Sequence, residues 1–245
     1  MDRIEEEQRR YKKFIHVEPI GFVHHMRPGS VKTLMEHIGP EHIDQARVLE
    51  VGCGQGYLVS HFLHLGASHV TGTDLTTDII DSIPRPAFQV YRDRGHQTME
   101  FKVEDFQEMD NFENAKIITM FIGIFSLVSR LLDVFVEIPH VQIIAFMKPA
   151  KQRKEMDEKI DQICREHSVS KSLFKIKLSG SGEQRQAIVM KKLAVAAATA
   201  ATPDTILKYG KRGKSRSRRT SPSPNTNLTQ RKVRRIQVSP SPTPP

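Results

Sequence analysis

The stretch "LEVGCGQGYL", residues 49–58, decides the fold, because it joins an apolar run to three glycines within five positions. The run "RVLEV" (47–51) is typical of a buried strand, and "GYLVSHFLHLG" (56–66) predicts a helix that ends at Gly66. Glycines between a strand and a helix allow backbone conformations and close approaches that a Cβ atom would block. Such a turn is typical of the ligand loop in a doubly wound sheet.

Strand-like and helix-like patterns alternate outward from this loop. Strands are predicted at 69–74, 99–106, 116–122 and 141–148, and helices at 76–83, 127–138 and 151–167. Thr76 is the predicted N-cap of its helix, which is expected to stop at Pro84. The alternation predicts an α/β fold, a parallel sheet covered on both faces.

The two ends of the domain show different patterns. Segments 173–178 and 185–192, joined by "SGSGE", predict a hairpin that adds one antiparallel strand. In the helix-prone extension 1–39, "RPGSVKTLMEHIG" predicts a helix capped by Ser30 that ends at Gly39.

The glycine spacing separates this loop from the known phosphate loops. The glycines follow the pattern Gly52-x-Gly54-x-Gly56, and Tyr57 stands where a dinucleotide fingerprint has its third glycine. No G-K-[ST] follows, which excludes a P-loop. A nicotinamide oxidoreductase is therefore disfavoured.

Two carboxylates narrow the choice of ligand. Asp74 closes the second strand, 18 residues after Gly56, where it can accept hydrogen bonds from two ribose hydroxyls. Glu50 lies in the first strand, two residues before Gly52. Negative charge at this loop suits a ligand with a positively charged end and would repel a pyrophosphate.

The segments "VLEVGCGQGYL", "VTGTDL" and "VEDF" together resemble the first three signatures of class I S-adenosylmethionine-dependent methyltransferases. The resemblance spans residues 47–191 and implies a doubly wound, mostly parallel seven-stranded sheet of order 3-2-1-4-5-7-6, with the last strand antiparallel. It also implies S-adenosyl-L-methionine as the cofactor.

The resemblance assigns roles to individual residues. The three glycines would pass under the methionine moiety, with Glu50 and the Cys53 backbone close by, and Asp74 would bind the ribose hydroxyls. Around the adenine it implies Leu75, Asp105 and Phe106, and Met120 and Phe121 would line the pocket. The thiol of Cys53 has no evident base or cation to activate it, so it is interpreted as a small filler.

The segment after the fourth strand, "MFIGIFS" (120–126), bears on the methyl acceptor. It lacks the Asp/Asn-Pro-Pro-aromatic tetrad of amino-methylating nucleic-acid enzymes and the Pro-Cys pair of cytosine C5 methylation. A weaker resemblance, from "VEDF" to "LLDVFVEIPHVQIIAFMKP", is to disruptor-of-silencing histone lysine methyltransferases. Those enzymes carry paired asparagines where this chain has Ile122 and Gly123.

Residues 194–245 predict a disordered, basic, Ser/Pro-rich tail. From Asp204 onward the chain has eleven Lys or Arg and one acidic residue, whereas the preceding 203 residues carry 26 basic and 27 acidic groups. The clusters within 208–235 predict nuclear localisation and contact with chromatin or nucleic acid. The overall apolar share of 38% is below the globular average of about 45–50%, which fits an unpacked segment.

Other features exclude several classes of protein. The two cysteines form no C-x-x-C pair, and His61 and His64 lack a third ligand, so neither a disulfide framework nor a metal site is predicted. The charged start of the chain and the lack of an apolar run of about 18 residues predict neither a secretory signal nor a membrane span.

We therefore predict a helical extension or lid (1–39), a methyltransferase domain (40–193) and the tail (194–245). In the extension, Tyr11, Glu18 and Arg27 are the polar candidates for a lid over the site. The expected substrate is a protein or an RNA, with protein, as a nucleosomal lysine, favoured. The alternative is an inactive methyltransferase-fold scaffold that binds chromatin or nucleic acid through its tail.

Overall fold

A computed structural model describes residues 3–13, 26–93, 95, 97–178 and 184–193 of the chain. It contains one seven-stranded sheet in the order β3-β2-β1-β4-β5-β7-β6. The strands are β1 (Arg47–Val51), β2 (His69–Asp74), β3 (Thr98–Val103), β4 (Ile117–Met120), β5 (Ile143–Met147), β6 (Val169–Lys177) and β7 (Gln184–Lys192). The first five strands pair in parallel, and β7 runs antiparallel between β5 and β6. This confirms the predicted fold class and strand order.

Eight α-helices are described: α1 (Arg3–Lys12), α2 (Pro28–Ile38), α3 (Pro40–Ile43), α4 (Tyr57–His64), α5 (Thr77–Asp81), α6 (Gln89–Asp93), α7 (Phe125–Glu137) and α8 (Arg153–Glu166). A 3-10 helix, Arg85–Phe88, follows α5. The sequence patterns did not delimit α1, α3, α6 or this 3-10 helix. Among the described residues, no helix combines the length and apolar character needed to cross a membrane.

The central strands are buried on both faces because consecutive apolar residues point to opposite sides of the sheet. Val48, Ile117 and Ile143 belong to one core cluster, which includes residues of α1, α2 and α4. Their neighbours in sequence, Leu49, Ile118 and Ile144, belong to the other cluster, with residues of α7 and α8. The sheet is therefore covered on both faces, as the uninterrupted apolar runs predict.

Of the two predicted N-caps, Ser30 is wrong and Thr76 is confirmed in position. The N-cap of α2 is Arg27, and Ser30, inside the helix, instead accepts a hydrogen bond at 2.7 Å from the backbone N–H of Lys177. Thr76 is the N-cap residue of α5, but its side chain makes no capping hydrogen bond. The hydroxyl of Ser30 thus joins α2 to the edge strand β6 instead of closing the helix.

The predicted end of α2 is confirmed. Gly39 follows the helix with a φ of 87°, and its N–H bonds to Met35 O at 2.9 Å. The hairpin linker 179–183, the tail 194–245 and Glu18 lie outside the described residues.

Candidate active site

The carboxyl ends of β1, β2 and β3 open onto a cavity of about 220 Å³. Three of its lining residues are acidic: Asp74, Glu104 and Asp105. The rest of the lining comprises Val51, Gly52, Thr73, Leu75, Phe106, Gln107, Ile122, Ile124 and Leu127. We call it the acidic cavity. Its position is where a doubly wound sheet binds its ligand.

The glycine loop needs glycine at three positions. Gly52, Gly54 and Gly56 have φ values of 70°, 51° and 80°, in the left-handed region that favours glycine. A Cβ on Gly52 would lie 2.2 Å from the Cδ1 of Ile122. Ile122 therefore packs directly on Gly52, and the segment after β4 covers this face of the loop.

Asp74 organises the loop and faces the cavity. Its Oδ2 accepts a hydrogen bond at 3.0 Å from the N–H of Gly54, and its Oδ1 accepts one at 2.8 Å from the N–H of Leu75. The carboxylate therefore holds a fixed orientation at the end of β2, and each oxygen has further acceptor capacity for ligand hydroxyls.

Three further predicted residues meet at the same cavity. Leu75 is 61% exposed, an unusual position for a large apolar side chain without a ligand. Phe106 is buried and packs edge-on against Phe112. Asp105 is exposed, and its Oδ1 accepts the N–H of Gln107 at 2.9 Å, which fixes the turn after β3. These residues form an apolar slot with a carboxylate at its rim.

Glu50 lies deeper, outside the cavity lining. Burial raises the pKa of Glu50 well above its usual range, the nearby Asp74 raises it further, and a backbone hydrogen bond at Val59 acts in the opposite direction. No described residue bonds to its Oε2. A buried carboxyl with an unsatisfied oxygen fits the cationic end of a ligand, which would satisfy that oxygen.

The other predicted site residues do not line the cavity. Cys53 is buried, and burial together with Glu50 raises the pKa of its thiol, which keeps it protonated and agrees with a filler role. Met120 is fully buried in the core cluster with α7, while Gly54 and Gly56 form the loop behind the lining. Their cofactor contacts remain predictions.

Sequence reasoning missed several lining residues. Thr73, Glu104 and Gln107 flank predicted residues at strand ends, so the same signal of position could have found them. Ile122 and Ile124 lie in the segment that the sequence analysis set apart as the acceptor side, yet their apolar side chains gave no chemical signal.

Helix α1 supports the glycine loop from behind. Tyr11 is fully buried, donates its hydroxyl to the carbonyl of Gln55, and packs edge-on against Tyr57 and Phe88. It is therefore a support of the loop, and its side chain does not reach the acidic cavity. Arg27, the other described lid candidate, is the N-cap of α2 and hydrogen-bonds through its backbone to β6.

A buried carboxylate fastens α1 to the domain. Glu7 contacts His64 at 3.3 Å, and Arg10 Nε donates to Glu7 Oε2 at 3.0 Å. Burial acts to raise the pKa of Glu7, but hydrogen bonds from His64 and Arg10 outweigh it and lower the pKa to about 2. Arg10 also donates to the carbonyl of Ala87 and to the Tyr91 hydroxyl. We call Glu7, Arg10 and Tyr11 the α1 latch.

A group with metal-ligand chemistry lies away from this edge. His69, Glu100 and Glu113 bring ligand atoms within 4.8 Å of one another. The ammonium of Lys102 contacts both carboxylates, at 3.2 Å for Glu100 and 2.5 Å for Glu113. Lys102 supplies the positive charge that these carboxylates need, so the group is explained without a metal.

Comparisons with known proteins agree with this geometry. Residues 48–141 match the model of a family described as a methyltransferase domain. A search of the curated proteins finds no match to this sequence. Residues 48–141 of the chain are thus similar to a methyltransferase domain, in agreement with the fold and the geometry of the site. The family resemblance seen in the sequence is thereby confirmed, and with it the assignment as a methyltransferase that uses this cofactor.

Solved structures share the fold at low sequence identity. A candidate RNA methyltransferase from Pyrococcus horikoshii is 17% identical, with a TM-score of 0.55 over 79% of this chain and 99% of that chain. Protein 1320 of Thermoplasma acidophilum is 15% identical, with a TM-score of 0.53 and the same coverage. Magnesium protoporphyrin IX methyltransferase from Synechocystis, solved with bound S-adenosylhomocysteine, is 13% identical, with a TM-score of 0.50 over 78% of this chain and all of that chain. At these identities the likeness concerns the fold alone.

Proposed function

We propose that this protein transfers the methyl group of S-adenosylmethionine to a macromolecular substrate bound at the carboxyl edge of its sheet. The observation that carries the proposal is the fixed carboxylate of Asp74 on a cavity lined by further acids and apolar side chains. This donor set fits a cationic cofactor with a ribose and an aromatic base.

The chain's own residues would hold the cofactor in the following way. Asp74 would accept hydrogen bonds from the ribose hydroxyls. Leu75 and Phe106 would flank the adenine, and Asp105 would bind its amino group. Glu50 offers its unsatisfied oxygen to the ammonium of the methionine end. The methionine end would lie along Gly52 once the side chain of Ile122, which packs on this glycine, has moved away.

When bound, S-adenosylmethionine would supply an activated methyl group to a lone pair of the acceptor, with the S–C electron pair left on sulfur and the acceptor's proton passing to solvent. The protein's part is to orient the acceptor and to exclude water. Ile122, Ile124 and Leu127 perform the second task, because they surround the acceptor side with apolar surface.

The sequence favours a protein acceptor, a nucleosomal lysine, over RNA. The charge around the described site instead favours RNA over a protein acceptor. The lining of the acidic cavity turns apolar toward the segment after β4, and beyond that segment Lys148, Arg153, Lys175 and Arg185 line a second cavity. Positive side chains do not attract a substrate that carries an ammonium group.

A second reading is an inactive scaffold, and the packing of Ile122 on Gly52 favours it. With a Cβ position only 2.2 Å from Cδ1 of Ile122, the face along which the methionine end would lie is covered. Binding then requires Ile122 to change rotamer.

We also propose that the basic clusters within 208–235 direct the protein to the nucleus and to polyanions there.

Two measurements on the full chain test these proposals. Calorimetry with S-adenosylmethionine should give a saturable heat, and no heat at millimolar ligand would sink the cofactor site. Labelled-methyl transfer should then be measured on total RNA, nucleosomes and free histones. We expect label on RNA; cofactor binding with silence on all three would favour the scaffold, and label on histones would restore the protein acceptor.

A further inference from the structure

A second cavity, also of about 220 Å³, lies at the end of β5 and beside the β6–β7 pair. Its lining includes four basic residues, Lys148, Arg153, Lys175 and Arg185, and two glutamines, Gln184 and Gln186. We call it the cationic cavity. The four cations come from α8, β6, β7 and the residue that follows β5, so the fold and not a local charge run brings them together.

The charge of this cavity is incompletely balanced by the protein. Lys148 donates to Asp157 Oδ2 at 2.7 Å. Neither Arg153 nor Lys175 forms an ion pair or side-chain hydrogen bond with any residue in the described part of the chain. Within the same described part, no acidic residue lines the cavity. Several positive side chains around one concave space favour a ligand with more than one negative charge.

The cationic cavity adjoins the acceptor side of the acidic cavity. Met120 pairs with Phe146, so β4 and β5 end side by side. Ile122 lines the acidic cavity, and a Cβ on the next residue, Gly123, would lie 3.1 Å from the Cε of Met147 and 3.7 Å from the carbonyl of Lys148. The segment after β4 therefore lies between the two cavities.

We propose that the cationic cavity binds the phosphodiester backbone of a polynucleotide whose target group enters the acidic cavity across Ile122 and Gly123. The proposal rests on the methyltransferase function proposed above and names its substrate class. Arg and Lys position a nucleic-acid strand through its phosphates, and glutamine amides add hydrogen bonds to sugar or base edges. A strand supplies one anion per nucleotide, which matches cations spread over four elements better than a single charged group does.

The test uses the full chain and a short fluorescent single-stranded RNA, without cofactor, and a DNA strand of the same sequence. The test variant is Arg153→Glu with Lys175→Glu. The control variant is Lys154→Glu with Lys171→Glu, which makes the same charge change on the same two elements. All four side chains are exposed, and Lys154 and Lys171 lie outside the cavity lining. The basic tail contributes equally to both variants.

We expect the test variant to bind RNA about tenfold more weakly than the control variant. Its salt dependence should also fall, by a slope of about 0.7 for each lost phosphate contact on a single strand. Weaker binding of the DNA strand than of the RNA would show that the cavity also reads the 2′-hydroxyl. Equal loss on both strands would show that it reads the backbone alone, and both results support the proposal.

Equal RNA affinity of the two variants would overturn the proposal. So would displacement of RNA by an acidic peptide at the same concentration of charge, because the cavity would then serve an acidic protein. The Lys175→Gln single variant, with a smaller loss in the same direction, guards against a folding defect in the double variant. Cofactor titration of the test variant keeps the two proposals apart, since it should bind S-adenosylmethionine as the wild type does even if RNA binding is lost.

Discussion

The acidic and cationic cavities have the same volume and lie at the same edge of one sheet, yet their charges are opposite. The acidic cavity collects Asp74, Glu104 and Asp105 from the ends of β2 and β3. The cationic cavity collects its basic residues from β6, β7, α8 and the position directly after β5. The apolar segment after β4 lies between them.

The difference teaches how one near-neutral domain can hold two unlike ligands. Because opposite charges lie in opposite halves of the edge, the arrangement would steer a cationic cofactor and an anionic substrate to different cavities. The segment after β4 places apolar side chains between the two sets of charges.

Replacing Asp74 with Ala should have the largest effect on ligand affinity. That effect should be confined to the acidic cavity. Two hydrogen bonds to a carboxylate are lost, and the Gly54 amide loses its acceptor, so we expect affinity for S-adenosylmethionine to fall about 100-fold, or about 3 kcal/mol. Calorimetry measures the change. RNA affinity of the same variant should be unchanged, and a parallel fall would break the division between the cavities.

Glu7→Gln tests whether the acidic side depends on the α1 latch. At neutral pH we expect the free energy of unfolding to fall by about 2–3 kcal/mol, because Arg10 and His64 lose a buried carboxylate. The pKa of Glu7 is lowered from 4.5 to about 2 in the folded protein, so its stabilisation is complete above pH 4.5 and is lost as the pH falls toward 2.

Urea unfolding of wild type and Glu7→Gln at a series of pH values provides the measurement. The gap between the two proteins should close in the window between pH 4.5 and 2. A gap that stays constant over that window would mean that the Glu7 charge does not hold α1.

Tyr11→Phe should have a smaller effect on the same side. It removes the hydroxyl that bonds to the Gln55 carbonyl, leaves a buried acceptor unsatisfied, and should cost about 1–2 kcal/mol of stability. If the latch also fixes the glycine loop, cofactor affinity should fall several-fold while RNA affinity stays the same. Tyr57, which packs on the same ring but leaves the Gln55 carbonyl alone, offers a matched control as Tyr57→Phe. A fall of equal size in that variant would mean that the hydrogen bond to the Gln55 carbonyl has no particular role in cofactor binding.

Asp157→Asn is the smallest change and acts on the cationic side alone. It removes the carboxylate that contacts Lys148, so one more positive charge becomes available and RNA affinity should rise about two- to threefold at low salt. A filter-binding series with rising salt should show the gain disappear. Weaker RNA binding would mean that Asp157 holds Lys148 in its working position.

The site elements that lie next to one another in sequence could be predicted. Asp74 and the three glycines could be placed because a strand, a turn and a carboxylate at a strand end are local signals. The α1 latch could not, because the described buried residues of α1 include just two apolar ones, Ile4 and Tyr11, and Glu7, which is also buried, looks in sequence like a solvated charge. Its burial depends on His64 and Arg10, and the former comes from a distant helix.

The cationic cavity could not be predicted from the sequence either, for a different reason. Before Asp204 the counts of basic and acidic residues nearly cancel, so the totals assigned the positive charge to the tail. Only the antiparallel pairing of β7 between β5 and β6 sets Arg185 beside Lys148 and Lys175. The positions of these residues along the sequence do not predict that they lie together.

The α1 latch has a consequence for the order of events during synthesis. Helix α1 leaves the ribosome before its partners, which are Gln55 and His64 and, later still, Ala87 and Tyr91. The helix therefore stays unpaired, with a charged and weakly apolar surface that favours little aggregation, until the segment carrying Tyr91 has been made. A segment made before the sheet thus completes the first half of the domain only after that half has been synthesised.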